Sequence, residues 1–171
     1  DPVVLWLTGG PGCSSQLALM TENGPCKPTA DGLDTETNPY SWTNNANMLW
    51  LDQPAGVGYS YGNGVVDVLH NETQVAEDAY NFLQEFFTAH PEYANNEFYV
   101  FGESYGGHYA PAISNRIFLG NQNKEGLQIN LAGVGVGNGL TDPVIQYQYY
   151  DEMANNNTYN IKCVDDDAYT K

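Results

Sequence analysis

Gly102-Glu103-Ser104-Tyr105-Gly106 is a G-x-S-x-G pentapeptide set between the apolar run Phe98-Tyr99-Val100-Phe101 and a stretch, residues 105–119, able to form a helix. Glycines on both sides of a serine let the backbone turn sharply, so the hydroxyl of Ser104 is expected to stand exposed at the carboxyl edge of a sheet as a nucleophile. A helix starting directly behind it aims unpaired backbone N–H groups at developing negative charge. Acyl transfer through serine needs such donors on the tetrahedral oxygen. The N–H of Tyr105 is one candidate, and Gly9-Gly10, which follow a different apolar run, supply another. Residues 9–12 also read as an ordinary tight loop or a phosphate cradle. They lack both the Lys-Ser/Thr ending of a P-loop and the G-x-G-x-x-G spacing, which argues against a nucleotide site.

A serine nucleophile wants a base, and the chain has three histidines, His70, His90 and His108. His108 lies four residues after Ser104, but a helix beginning at the elbow carries it away from the hydroxyl. His70 and His90 flank a helical stretch and read as solvent-facing or capping side chains. In this architecture the acid and then the histidine follow the serine along the chain, so the triad Asp and His are expected beyond Lys171. Asp1-Pro2 leads straight into an apolar run and residues 164–171 carry no closing element, so the sequence reads as a fragment of a longer protein.

Cys13, Cys26 and Cys163 are not spaced as a zinc site, and an odd count leaves at least one unpaired within the chain; all three can equally be inert thiols. No metal and no organic cofactor is called for by these residues. Asn71-Glu72-Thr73 and Asn156-Asn157-Thr158 are acceptor triplets for N-glycosylation, at Asn71 and Asn156. With 21 acidic against 5 basic residues the formal charge is -16, which repels nucleic acid and anionic membrane surfaces. Much of that charge is neutralised between about pH 5 and 3, which suits an acidic compartment. No apolar run approaches the roughly 18 residues needed to cross a bilayer, so no membrane insertion is expected.

These residues need elements to hold them. Residues 3–7, 47–52, 98–101 and 131–136 read as strands, and the first two empty into breaker-rich loops at residues 8–12 and 53–58. Val75, Ala79, Phe82, Leu83, Phe86 and Phe87 recur at helical spacing, with Asn71 and Gln74 as a capping box and Pro91 closing the segment. Residues 22–40 are dense in Gly, Pro, Asn, Asp and Thr and read as surface loop with at most a short strand. Alternating strands and helices predict an α/β fold with a mostly parallel sheet covered by helices and a nucleophile elbow after a central strand. Residues 1–143 are assigned to this partial α/β-hydrolase domain, and residues 144–171, rich in Asn and aromatics, to the start of an insertion or lid.

Five blocks, residues 5–15, 38–42, 51–61, 102–109 and 137–143, together resemble the serine carboxypeptidases, lysosomal, vacuolar or secreted enzymes with an α/β-hydrolase fold. The resemblance implies a serine-type carboxypeptidase acting on peptide or protein substrates, with Ser104 forming the acyl-enzyme and the N–H groups of Gly10 and Tyr105 forming the oxyanion hole. It implies that Glu22 and Glu103 recognise the substrate's terminal carboxylate. Carboxyl groups facing a third group of like charge must retain protons, which favours binding in acid. The family places an Asn at the position of Thr8, so Thr8 offers one hydroxyl to that carboxylate in place of an amide donor and a carbonyl. Cys13 is implied to bond to a cysteine located after the serine helix. Some relatives with the same triad are acyltransferases, and a catalytically inactive, secreted interaction protein is a reading from outside enzymology.

Overall fold

The computed structural model describes residues 1–62 and 71–169; His70 lies outside them. By contact density the chain forms two units, residues 1–139 and 140–171.

The first unit is built on four strands. β1 (Val3–Leu7), β4 (Asn47–Trp50), β5 (Phe98–Glu103) and β6 (Leu131–Gly137) make one parallel sheet in the order β4-β1-β5-β6. β1 lies in the middle, with Val3 beside Asn47 on one flank and Phe98 on the other. A parallel strand between two neighbours is covered on both faces, which is why Val3-Val4-Leu5-Trp6-Leu7 is apolar throughout rather than alternating. β2 (Cys26–Pro28) and β3 (Thr35–Thr37) pair antiparallel as a separate small hairpin. This hairpin and α1 (Gln16–Thr21) lie in or beside a stretch that composition alone reads as loop.

Two long helices cover one sheet face. α2 (Glu72–Ala89) starts at Asn71, whose side-chain oxygen accepts the Gln74 N–H, and ends one residue before His90-Pro91. α3 (Gly106–Asn123) follows the serine and ends on Lys124 in the left-handed conformation. Leu83 and Phe87 of α2 and Tyr109, Ile113 and Ile117 of α3 pack with Val3, Leu5, Leu7, Phe98 and Val100 of the sheet to form the core. Phe82, placed on the apolar stripe by its spacing, is instead 39% exposed and stacks on Phe86. Tyr80 takes the core position because its hydroxyl reaches the Glu125 carbonyl oxygen at 2.6 Å, satisfying the one polar atom that burial would strand. The helices are also tied by Arg116, which bonds Glu77 and Glu125 and lies 3.9 Å over the Tyr80 ring.

On the opposite face, Tyr99 and Phe101 lie over Gly133 and Gly135 of β6, positions where a Cβ would run into the rings. The second unit holds the short helices α4 (Pro143–Gln146), α5 (Tyr150–Asn155) and α6 (Asp166–Tyr169). No described side chain of this unit is fully buried. No helix among the described residues is long and apolar enough to cross a membrane.

Candidate active site

Ser104 stands between β5 and α3 with φ 58, the left-handed region that a side-chain-bearing residue enters only when its surroundings hold it there. Its N–H donates to the Gly137 carbonyl oxygen of β6 at 3.1 Å, while its carbonyl accepts the Gly107 N–H at 3.0 Å, so the elbow is anchored on both sides. The residue itself is exposed. Gly102 and Gly106 have to be glycine because the strand and the returning helix nearly touch. A Cβ on Gly102 would meet the Gly106 backbone, and one on Gly106 would stand 2.8 Å from the Leu7 carbonyl oxygen.

The glycine loop after β1 abuts this elbow. A Cβ on Gly9 would stand 2.6 Å from the Glu103 carbonyl oxygen and 2.9 Å from Ser104 Cβ, and closer still to Tyr105 N. Gly10, at φ 116, turns the chain away immediately afterwards. The loop is held in place by its own flank. The Cys13 N–H donates to the Gly9 carbonyl and the Thr8 N–H to Ser15 Oγ, while Asp52 accepts from Ser14 Oγ at 2.6 Å and from the Ser15 N–H at 2.9 Å. The other oxygen of Asp52 takes the Tyr59 N–H, so one carboxylate organises the loops after both β1 and β4. The structure thus brings Gly10, Ser104 and Tyr105 into one neighbourhood. Backbone N–H groups beside an exposed hydroxyl are the kind of donor that a tetrahedral adduct on that hydroxyl requires.

Glu22 also lies within electrostatic reach of Glu103. The Glu22 carboxyl is raised above the ordinary carboxylate range, first by burial, then by the charge of Glu103 and a hydrogen bond with it. Glu22 is delivered by a clamped loop. Asn38 Nδ2 donates to the carbonyls of Glu22 and Gly24 at 3.2 and 2.9 Å, and Ser41 Oγ and the Trp42 N–H both donate to the Asn23 carbonyl. Trp50 Nε1 bonds Asn23 Oδ1 at 2.9 Å. Composition could not reveal Asn38 and Ser41 as the holders of the Glu22 loop, because the bonds close only after the hairpin folds back. Thr8 is buried, and its hydroxyl accepts the Trp6 indole N–H at 3.2 Å.

His108 lies flat against the Tyr105 ring, centroids 4.5 Å apart, with its Nδ1 buried and unpartnered. His90 caps the far end of α2 beside Glu92. Cys13 and Cys163 are exposed and Cys26 is half-buried, all three as free thiols. Asn71 and Asn156 are both exposed. The Asn71 amide also donates to Gln74 Oε1, and that of Asn156 to Glu152 Oε1.

The family model for serine carboxypeptidases matches residues 1–171. The chain belongs to this family. It is 53% identical over 154 residues to a serine carboxypeptidase-like protein of Oryza sativa subsp. japonica, covering 90% of this chain and 36% of that protein. A vacuolar serine-type carboxypeptidase of Saccharomyces cerevisiae is 49% identical over 155 residues, 90% of this chain and 29% of the relative. Among solved structures, the prohormone-processing carboxypeptidase KEX1(delta)p of the same yeast superposes with a TM-score of 0.87 at 31% identity, covering 97% of this chain and 35% of its own. The chain therefore spans about a third of the length of these serine carboxypeptidases.

Proposed function

We propose that the protein is a serine-type carboxypeptidase that removes the C-terminal residue of peptides or proteins through an acyl-enzyme on Ser104. The observation that carries this reading is the strained Ser104 elbow with the Gly9 backbone packed against it in a chain of this family. Beside it Glu22 lies under the influence of Glu103, the residue directly before Ser104, which with burial favours a proton on Glu22. A generic serine hydrolase has no use for such a pair. A terminal carboxylate does, since a shared proton turns two repelling groups into a donor and an acceptor. Thr8 contributes its hydroxyl to the same end of the substrate.

A histidine supplied from outside the described residues takes the Ser104 proton as Oγ bonds to the scissile carbonyl carbon, placing the negative charge on the carbonyl oxygen between the N–H groups of Gly10 and Tyr105. Collapse breaks the C–N bond, the histidine passes its proton to the leaving amine, and water then releases the shortened peptide from Ser104. Residues 144–171 begin an insertion, Cys13 forms a disulfide with a cysteine after the serine helix, and Asn71 and Asn156 carry glycans. A vacuolar, lysosomal or secreted setting fits the acidic preference, and similarity to a vacuolar carboxypeptidase of yeast supports it.

The test is kcat/KM of the full-length protein on matched peptides with free and amidated C-termini across pH. The free acid is expected to be preferred below about pH 6, with the preference lost in Glu22→Gln and Glu103→Gln. Ser104→Ala should abolish turnover of both peptides. Equal rates for acid and amide at every pH would refute carboxylate recognition, and efficient acyl transfer to alcohols without peptide cleavage would make the protein an acyltransferase.

A further inference from the structure

The two backbone arms offered to the oxyanion, Gly10 and Tyr105, sit on different elements, and something has to fix the gap between them. Tyr109 spans it. One turn into α3 and 1% exposed, it points its hydroxyl back to the glycine loop, where it accepts the Gly12 N–H at 3.3 Å. Among the hydrogen bonds of the described residues this one alone runs from the loop at residues 9–12 to the serine helix. Burial pushes the phenol up to about 12, so the hydroxyl keeps its proton at any working pH.

The Tyr109 ring also meets the Tyr105 ring edge-on, centroids 5.1 Å apart, and Tyr105 is held from its other sides. Its hydroxyl donates to Glu72 Oε1 at 3.1 Å and its ring stacks on His108. These contacts matter because a recess of about 420 Å³, walled by Pro11, Glu72, Tyr105 and Tyr109 among others, leaves part of the Tyr105 ring without packing. Glu72 is the first residue of α2 and its second carboxyl oxygen is buried without a partner, so the acid is committed to this spot at a cost. A surface-facing acid at a helix start would avoid that cost.

We propose that Tyr109 is a positioning residue for acyl transfer, setting the separation of the Gly10 and Tyr105 N–H groups by bonding the glycine loop to the serine helix, with Glu72 steadying Tyr105 from α2. The inference rests on the serine-hydrolase reading above. A small error in the position of an oxyanion donor acts on the tetrahedral state and leaves ground-state binding alone.

The experiment uses Tyr109→Phe in the full-length protein, which removes the hydroxyl and keeps the ring. Turnover is expressed per active site titrated to completion with an organophosphonate, so that unfolded molecules drop out. We expect kcat to fall about 10- to 100-fold with KM within about twofold of the parent, and a peptide boronic acid, which mimics the tetrahedral state, to bind more weakly by a similar factor. Glu72→Ala should show the same split more weakly, and Glu72→Gln, which keeps an acceptor for the Tyr105 hydroxyl, should restore most of it. An unchanged kcat per titrated site in Tyr109→Phe, or a loss that appears in KM alone, would overturn the proposal. Loss of activity in Ser104→Ala together with wild-type behaviour in Tyr109→Phe would reject the positioning role only. Full activity in Ser104→Ala would reject the serine reading itself.

Discussion

Glu22 is a residue whose setting works against the fold at neutral pH. Its carboxyl is raised by burial and by Glu103, so the folded state favours the protonated form more than the unfolded chain does. The stability gained from that proton is complete below the ordinary carboxylate range, near pH 4, and is lost as pH rises through the raised value. Glu22→Gln is therefore expected to melt a little higher than the parent at pH 7, with the difference closing below about pH 4. A pH series of thermal melts checks this, and a Gln variant that melts lower at neutral pH would show that Glu22 is stabilising as the ion. Glu77 behaves in the opposite sense. The Arg116 guanidinium holds its carboxyl low, so its contribution is present at neutral pH and is lost as the pH falls through the lowered value. The two acids differ in setting: Glu77 braces α2 against α3 through Arg116, and Glu22 sits beside another acid with no cation among the described residues to offset it.

At the scale of elements, the decisive contact is the approach of the loop after β1 to the elbow after β5. Because a Cβ on Gly9 would enter the backbone at residues 103–105, Gly9→Ala is expected to push the loop off the elbow. Overpacking of this kind costs about 1–3 kcal/mol of stability, and the displaced donor should lower kcat by about 100-fold. Thermal melts and kcat per titrated site measure the two effects, and an Ala variant with the parent's kcat would show that the loop has slack. The elbow, the four strands and both long helices were legible in the sequence because each is announced locally, by G-x-S-x-G, by apolar runs ending in breakers, or by a capping box. The strand order was not, since nothing local says that the third strand in line will lie against the first. Nor was the clamp on Glu22. Asn38 and Ser41 look like turn residues, and their carbonyl partners at residues 22–24 carry no side-chain signature. Tyr109 was concealed differently, as one more aromatic on a helix whose hydroxyl finds Gly12 across 97 positions of chain.

Taken whole, the chain gathers an exposed serine on a sharp elbow, a glycine loop packed against it and two neighbouring acids, while the two described histidines are engaged elsewhere, one stacked on Tyr105 and the other at the far end of α2. A serine without its base retains little of its power: in a triad of this type, losing the histidine costs about 10⁶ in kcat. The 171-residue chain expressed alone is accordingly expected to turn over peptides at least about 10⁴-fold more slowly than the full-length protein. Peptidase assays on both check this, and comparable rates would mean that a base within the chain had been overlooked. The core that would carry such a chain is confined to the first unit, since every buried apolar side chain among the described residues falls between Val3 and Ile129.

All three tryptophans of the chain belong to one small region. Trp50 bonds the Asn23 side chain, Trp42 bonds the Asn23 carbonyl through its backbone and meets Trp6 edge to face at 5.1 Å, and Trp6 bonds Thr8. Indole emission and the near-ultraviolet dichroism of the coupled Trp6–Trp42 pair thus view the seam where the Glu22 loop meets β1, β4 and Phe101 of β5. The chain carries a built-in optical gauge of how that loop packs on the sheet, readable without any label.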